Sequence, residues 1–383
     1  MYGQQGQQRS LLIILILLVL LIALGASATP YTPNTQEQIV AKWDISSTDK
    51  DQSLSLQQRL EKAAWHIQQG QYAGQANKHY GRARALLSPL FNTDATDTWE
   101  NKAATTHSHA LYLWARVLQH QHQFSQAQQV LEQAIILDNG NSAALLLKAN
   151  VLLAQGQFTK SKQACTQLLG KADLVLTSAC VLEVSANQEQ LVSSYAQLSR
   201  LLTLTHTIPN KPATDQQQDW LLQLAADMAL RLDLKSEAQT WLASGLTPQQ
   251  SLAQKPLSFI VLWADIELSL KQEQKVLSQL SIIVNQAGFK DDALLTRLSM
   301  AEKSTTKAYW QTLLAERINL RIARKDTFHS ADLARYFLDI KPDPELALYW
   351  AQINWQQAKL NDDKQLLNRA LMMQNTGVTR ADS

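Results

Sequence analysis

From about Leu54 to the C-terminus, apolar residues return at steps of three and four, the spacing of an amphipathic helix face. Ala, Leu and Gln fill many of these positions, and all three are strong helix formers. No stretch alternates apolar and polar residues with β-branched enrichment, so strands are not expected. Pro209, Pro212, Pro248, Pro256, Pro342 and Pro344 fall where helices should begin or end. The pattern predicts an all-α body of short paired helices. The start of the chain is patterned differently. Leu11 to Leu24 is an unbroken apolar run, Arg9 precedes it, and Gly25-Ala26-Ser27-Ala28 follows it. A basic start, an apolar core and small residues at A-x-A spacing make a secretory signal. The run to Ala28 is also just long enough for one membrane-spanning anchor helix. Either way, the lone Arg9 keeps the N-terminus in the cytoplasm and sends the body across the membrane. The expected division is therefore 1–28, signal peptide or single transmembrane anchor; 29–53, linker; 54–375, helical body; and 376–383, disordered tail.

Self-similarity is visible within the body. HALYLWARVLQHQHQFSQAQQVLEQAIILDNGN (109–141) aligns with AALLLKANVLLAQGQFTKSKQACTQLL (143–169). Phe124 and Phe158, Ala115 and Ala149, and Leu118 and Leu152 each stand 34 apart. Ala127 aligns with Ser161, Leu131 with Cys165, and His122 with Gly156. This period, with small residues where two helices cross and an aromatic at the turn, resembles the tetratricopeptide repeat (TPR). Weaker copies surround Ala64 and Ala83, and Ala226 and Ala238. KPDPELALYWAQINWQQAKLNDDKQLLNRALM reads as a repeat boundary followed by a last hairpin, with Ala351 and Ala370 at its crossing and Trp350 and Leu367 in its core. Across 174–205 and 256–323 the helical pattern persists without the signature. The resemblance implies a TPR-like α-solenoid of eight to nine helical hairpins, preceded by one N-terminal hydrophobic helix.

Composition narrows the chemistry. Twelve glycines and nine prolines are too few for β-sandwiches or propellers. A net charge of +2 provides no field for nucleic acid. HExxH, GxSxG, Walker and GxGxxG motifs are absent, so no enzyme, cofactor or metal site is expected. His107, His109, His120 and His122 cluster in sequence, and imidazoles ligate metals. His109 and His120, however, lie about 16 Å apart along one helix at 1.5 Å per residue, so only His120 and His122 are close enough to share an ion. In the resembling family the first helix of each repeat lines a concave groove. Here those positions are His109, Tyr112, Arg116, Gln119, His120 and Gln123, then Asn150 and Gln157. Tyr112 stands where a chaperone-type carboxylate clamp needs lysine. Cys165 and Cys180 fall on consecutive helices, where a disulfide is geometrically open and plain core packing is the alternative.

These features lead to the expectation of a non-catalytic exported scaffold. It would bind another protein of the bacterial envelope, with its body in the periplasm, anchored at the inner membrane or secreted across it. The alternative is a periplasmic metal- or small-molecule-binding protein built on the His107–His122 cluster.

Overall fold

The computed structural model describes residues 54–91, 99, 102–206, 215–246 and 251–381. The N-terminal apolar segment and the whole 29–53 linker lie outside these residues. Among the described residues no helix is long and apolar enough to cross a membrane.

Among the described residues the body is built from seventeen α-helices, stacked as antiparallel pairs. They are α1 Leu56–Gln69 and α2 Ala76–Leu87; α3 Ala104–His120 and α4 Phe124–Leu137; α5 Ser142–Ala154 and α6 Phe158–Thr166. Next come α7 Leu174–Ala186 and α8 Leu191–His206; α9 Asp215–Arg231 and α10 Lys235–Ser244; α11 Leu257–Ser269 and α12 Glu273–Gln286. The last are α13 Asp292–Glu302, α14 Tyr309–Ala323, α15 Ser330–Arg335, α16 Pro344–Gln357 and α17 Asn361–Ala381; a single π turn, Tyr336–Ile340, extends α15. Each odd-numbered helix packs on its partner and on the next odd-numbered helix. The odd helices thus form an inner layer and the even helices an outer one, which is the geometry of a solenoid.

Local chemistry explains several boundaries. Ser55 caps α1 through a reciprocal box with Gln58. The Asn141 and Asp343 side chains accept from the backbone N–H groups of Ala144 and Leu346 at the starts of α5 and α16. The turn that closes a hairpin recurs. His122 and Gly156 adopt φ of 56° and 72°, and Glu189, Asp233, Lys271 and Lys325 share this left-handed conformation. After each one, the next backbone N–H reaches back five residues, as Gln123 does to Leu118 and Gln272 to Glu267. This is the bond of a Schellman motif.

The small residues sit at the crossings. Ala115, Ala127, Ala134 and Ser161 are fully buried, and the Ser161 hydroxyl donates to the Ala149 carbonyl across its hairpin at 2.8 Å. Ala115→Leu should overpack α3 against α4 and cost about 1–3 kcal/mol. A thermal melt indistinguishable from wild type would contradict this crossing.

The first three hairpins each have a separate apolar cluster, whereas one continuous core runs from α7 to α17. Phe259 and Ile260 are buried at its centre, and Trp263, Trp310 and Trp350 pack into it. The last hairpin expected after Pro344 is formed by α16 and α17, with Ala351 and Ala370 fully buried at its crossing. Leu366 is fully buried in place of Leu367, which is only partly covered. Helix α17 continues to Ala381, with no proline to stop it.

Candidate functional site: a lumen closed by six inner helices

The inner helices from α7 onward curl into a ring. Its seam lies where the backbone N–H of Asn361, at the start of α17, donates to the side-chain oxygen of Asn187 at the end of α7 (3.2 Å). The inner faces of these helices line an open cavity of about 380 Å³, with residues from α7, α9, α11, α13, α15 and α17. The four middle helices each contribute a strip at steps of three or four, such as Gln223 and Asp227 on α9 or Ser258, Leu262 and Asp265 on α11, because such residues share one helix face; α7 and α17 contribute Glu183 and Asp362.

The wall is greasy on one part and acidic on another. Trp220, Leu224, Val261 and Leu262 supply the apolar surface. Five carboxylates line the cavity (Glu183, Asp227, Asp265, Asp332 and Asp362) against two guanidiniums, Arg297 and Arg335. Arg297 is committed to Asp265 through two bonds of 2.8 and 2.7 Å. Arg231, just behind the wall, binds Asp227 at 3.2 Å and the Ala186 carbonyl at 2.7 Å. Burial, reinforced by Asp227 and opposed by Arg231, pushes the Glu183 carboxyl up to about 7. Burial first, then Asp362, lifts Asp227 to about 6, against the pull of Arg231. Taking a carboxylate out of water disfavours its charged form, and neighbouring carboxylates add to that cost.

The three leading hairpins brace this ring through their turns. The turn between α1 and α2 meets the segment before α11 and the α12–α13 loop: Leu257 N–H donates to the Gln71 carbonyl at 2.7 Å, and Gly74 N–H to the Asp291 carboxylate at 2.6 Å. The α3–α4 turn brings His122 to 5.9 Å from the Phe328 ring. The α5–α6 turn accepts a 2.8 Å bond at the Ala154 carbonyl from Lys359 N–H. The solenoid therefore closes on itself, and its first turns rest against its last units. Gly74 marks the tightest approach. Its φ is +71°, and a Cβ there would lie 2.5 Å from the Phe289 carbonyl oxygen. Gly74→Ala should separate the two surfaces, which hydrogen–deuterium exchange would register as faster exchange at 70–75 and 287–291.

The eight positions expected to form a groove lie outside this lumen, on α3, α5 and their turns. The Tyr112 hydroxyl accepts a 3.1 Å bond from Arg116, and Tyr80 on α2 also supports the guanidinium. His120 stacks on Tyr80 with ring centroids 3.7 Å apart; burial, with His122 and His329 nearby, lowers its imidazole to about 4. This strip ties α3 to α2. Gln119 and Asn150 are half-buried and His109 and Gln123 exposed. Gln157 donates to the Gln155 side chain at 3.1 Å.

The four clustered histidines take separate aromatic partners: His107 on Trp99 (4.0 Å), His109 near Tyr112, His120 on Tyr80, and His122 against Phe124 and Phe328. Among the described residues no three His, Cys, Asp or Glu side chains gather in a way that could hold a metal. Cys165 and Cys180 are joined by a disulfide, with Cα atoms 5.5 Å apart, pinning α6 to α7. Half of the lining residues, Glu183, Asp265 and Arg297 among them, come from the stretches where the repeat signature fades; the others, such as Asp227 and Asp362, are far from these in sequence, and nothing local marks them as neighbours. A weak signal was present in acidic residues on otherwise apolar helices, such as Glu183 in LVLTSACVLEVSA and Asp265 in LSFIVLWADIELS.

Residues 118–174 match a tetratricopeptide repeat family model. No curated protein matches the sequence. Among solved structures, the chain is similar to a tetratricopeptide repeat protein from Parabacteroides merdae ATCC 43184. The identity is 10% and the TM-score 0.37, over 82% of this chain and 98% of that one. It is also similar to the P58(IPK) TPR domain, at 13% identity and a TM-score of 0.27, over 84% of this chain and 99% of that one.

Proposed function

Because residues 118–174 carry the tetratricopeptide repeat, we propose that this TPR protein is a non-catalytic, exported scaffold that holds another protein of the cell envelope during assembly or maintenance of a complex. The observation that carries this reading is the lumen, a mixed apolar and polar concavity built from the inner faces of six stacked helices. Such a surface offers anchor pockets and amide or carboxylate partners to an extended segment. Export is supported by the order of residues in 1–28 and by the Cys165–Cys180 disulfide, since disulfides persist in oxidising compartments. The metal-binding alternative at the histidine cluster gains nothing from the separate aromatic partners of the four rings.

A photo-crosslinking residue at Gln223, inside the lumen, tests the scaffold reading in cells. The expected result is a discrete adduct to an envelope protein, absent when the probe stands at Lys160 on the outer layer. Adducts formed equally at both positions, or with cytoplasmic proteins alone, would overturn it. A reporter active only outside the cytoplasm, fused after Ser383, should be active; an inactive fusion of normal abundance would reverse the topology.

A further inference from the structure

Charge in the lumen is out of balance, and the imbalance has a definite location. Asp265 is matched by Arg297, and Asp227 is held by Arg231. Glu183 is different. Its carboxylate lines the cavity and receives no hydrogen bond from the described residues; only its backbone carbonyl is used, by the Asn187 side chain. The carboxylates of Asp332 and Asp362 also line the cavity and accept no hydrogen bond among the described residues, leaving Arg335 as the one lining cation not already bonded to an acidic side chain. Glu183 and Asp332 are half-buried and Asp362 is exposed, so an excess of negative charge faces the cavity, where a cationic ligand would supply the missing donors. Beside these acids run Trp220, Val261 and Leu262, a surface suited to the methylene stem of a long cationic side chain.

We propose that the lumen receives a lysine or arginine side chain from an extended segment of the partner protein, with Glu183, Asp332 and Asp362 around its cationic head and Trp220, Val261 and Leu262 along its stem. This rests on the scaffold reading above and specifies its chemistry. An acidic segment would add to the excess of negative charge, and a neutral one would leave the carboxylates without donors.

The same arrangement couples binding to protons. Facing Glu183 and Asp227 are Arg231 from α9, Asp265 from α11, Arg297 from α13, Asp332 and Arg335 from α15, and Asp362 with Asp363 from α17. Burial holds Glu183 near 7 and Asp227 near 6 in the empty lumen, so both are partly protonated at mildly acid pH. A bound cation favours their ionised forms and expels those protons. Affinity for a cation therefore rises as pH rises through this range and falls on acidification.

The test is isothermal titration of the purified full chain with peptides of about eight residues alternating Lys and Ala, Glu and Ala, or Ser and Ala, and with spermidine. The Lys-Ala peptide should bind, release protons at mildly acid pH, and lose roughly tenfold in affinity with Glu183→Gln or Asp332→Asn. Glu183→Gln keeps the shape and removes a strained charge, so it should fold as wild type; Glu132→Gln, on the outer helix α4, should bind normally. If Ser-Ala or Glu-Ala peptides bind as tightly as Lys-Ala, the cationic assignment fails and the groove reading survives. If spermidine matches the peptide, the ligand is a small polyamine and the assignment to a partner segment is overturned. If no peptide binds, both the assignment and the groove reading fail.

Discussion

Asp219→Ala is expected to destabilise the protein by about 3–5 kcal/mol, the usual cost of removing one partner from a buried ion pair. Lys255 Nζ lies 2.8 Å from the Asp219 carboxylate, with side-chain exposures of 7% and 10%. Its ammonium also stands 5.4 Å from the ring centre of Phe259, a residue at the middle of the main core. Without the carboxylate, that charge stays inside with only an aromatic face to receive it. The effect should travel further than the core, because Lys255 immediately precedes Pro256 and Leu257, the residues that receive the α1–α2 turn. Denaturant unfolding should give a lower midpoint, and exchange at Gln71 and Tyr72 should quicken. Replacing both members, Asp219→Leu with Lys255→Met, should recover most of the stability, since an apolar pair of similar volume leaves no orphaned charge. A single variant within experimental error of wild type would show that this pair is solvated.

Reduction of the Cys165–Cys180 disulfide should cost about 3 kcal/mol, the chain-entropy figure for a closed loop of about fifteen residues. The cystine lies in the interior with Leu145, Leu168 and Val184, at the junction between the third hairpin and the first helix of the lumen ring. Loosening α6 from α7 therefore removes support from one wall of the candidate site. A Cys165→Ala, Cys180→Ala variant should melt earlier, and reductant should lower the melting temperature of the wild type but leave that of the variant unchanged. Equal melting of oxidised and reduced wild-type protein would mean that the loop is already constrained by packing alone.

Local periodicity was enough for the helices and for the clearest repeats. Ala115, Ala127, Ala149 and Ser161 were identified as crossing residues from their 34-residue spacing, and all four are buried, because a close helix crossing excludes large side chains whatever surrounds it. Turn geometry was only half visible. Gly156 announces a left-handed residue, whereas Glu189, Asp233 and Lys271 adopt the same conformation with side chains that carry no such signal. There the packed helices on either side impose the turn, and the strain of a non-glycine residue is outweighed by their burial.

What the sequence by itself determined is the all-α class, the paired-helix repeat around 109–169 and the placement of small residues at its crossings, since these depend on contacts between residues close in the chain. What only the tertiary structure decided is the closure of the solenoid and the site this creates. Asn187 and Asn361, Gly74 and Asp291, and Glu183 and Asp362 are far apart in sequence, and nothing in their local pattern announces the encounter. Curvature arises as small rotations between successive hairpins add up, each set by how side chains interlock at an interface. The π turn at Tyr336–Ile340 adds its own offset before α17 returns to α7. That sum is invisible in any one repeat, and it creates the acidic cavity between α7 and α17, apart from the strip at Tyr112 and Arg116 on α3.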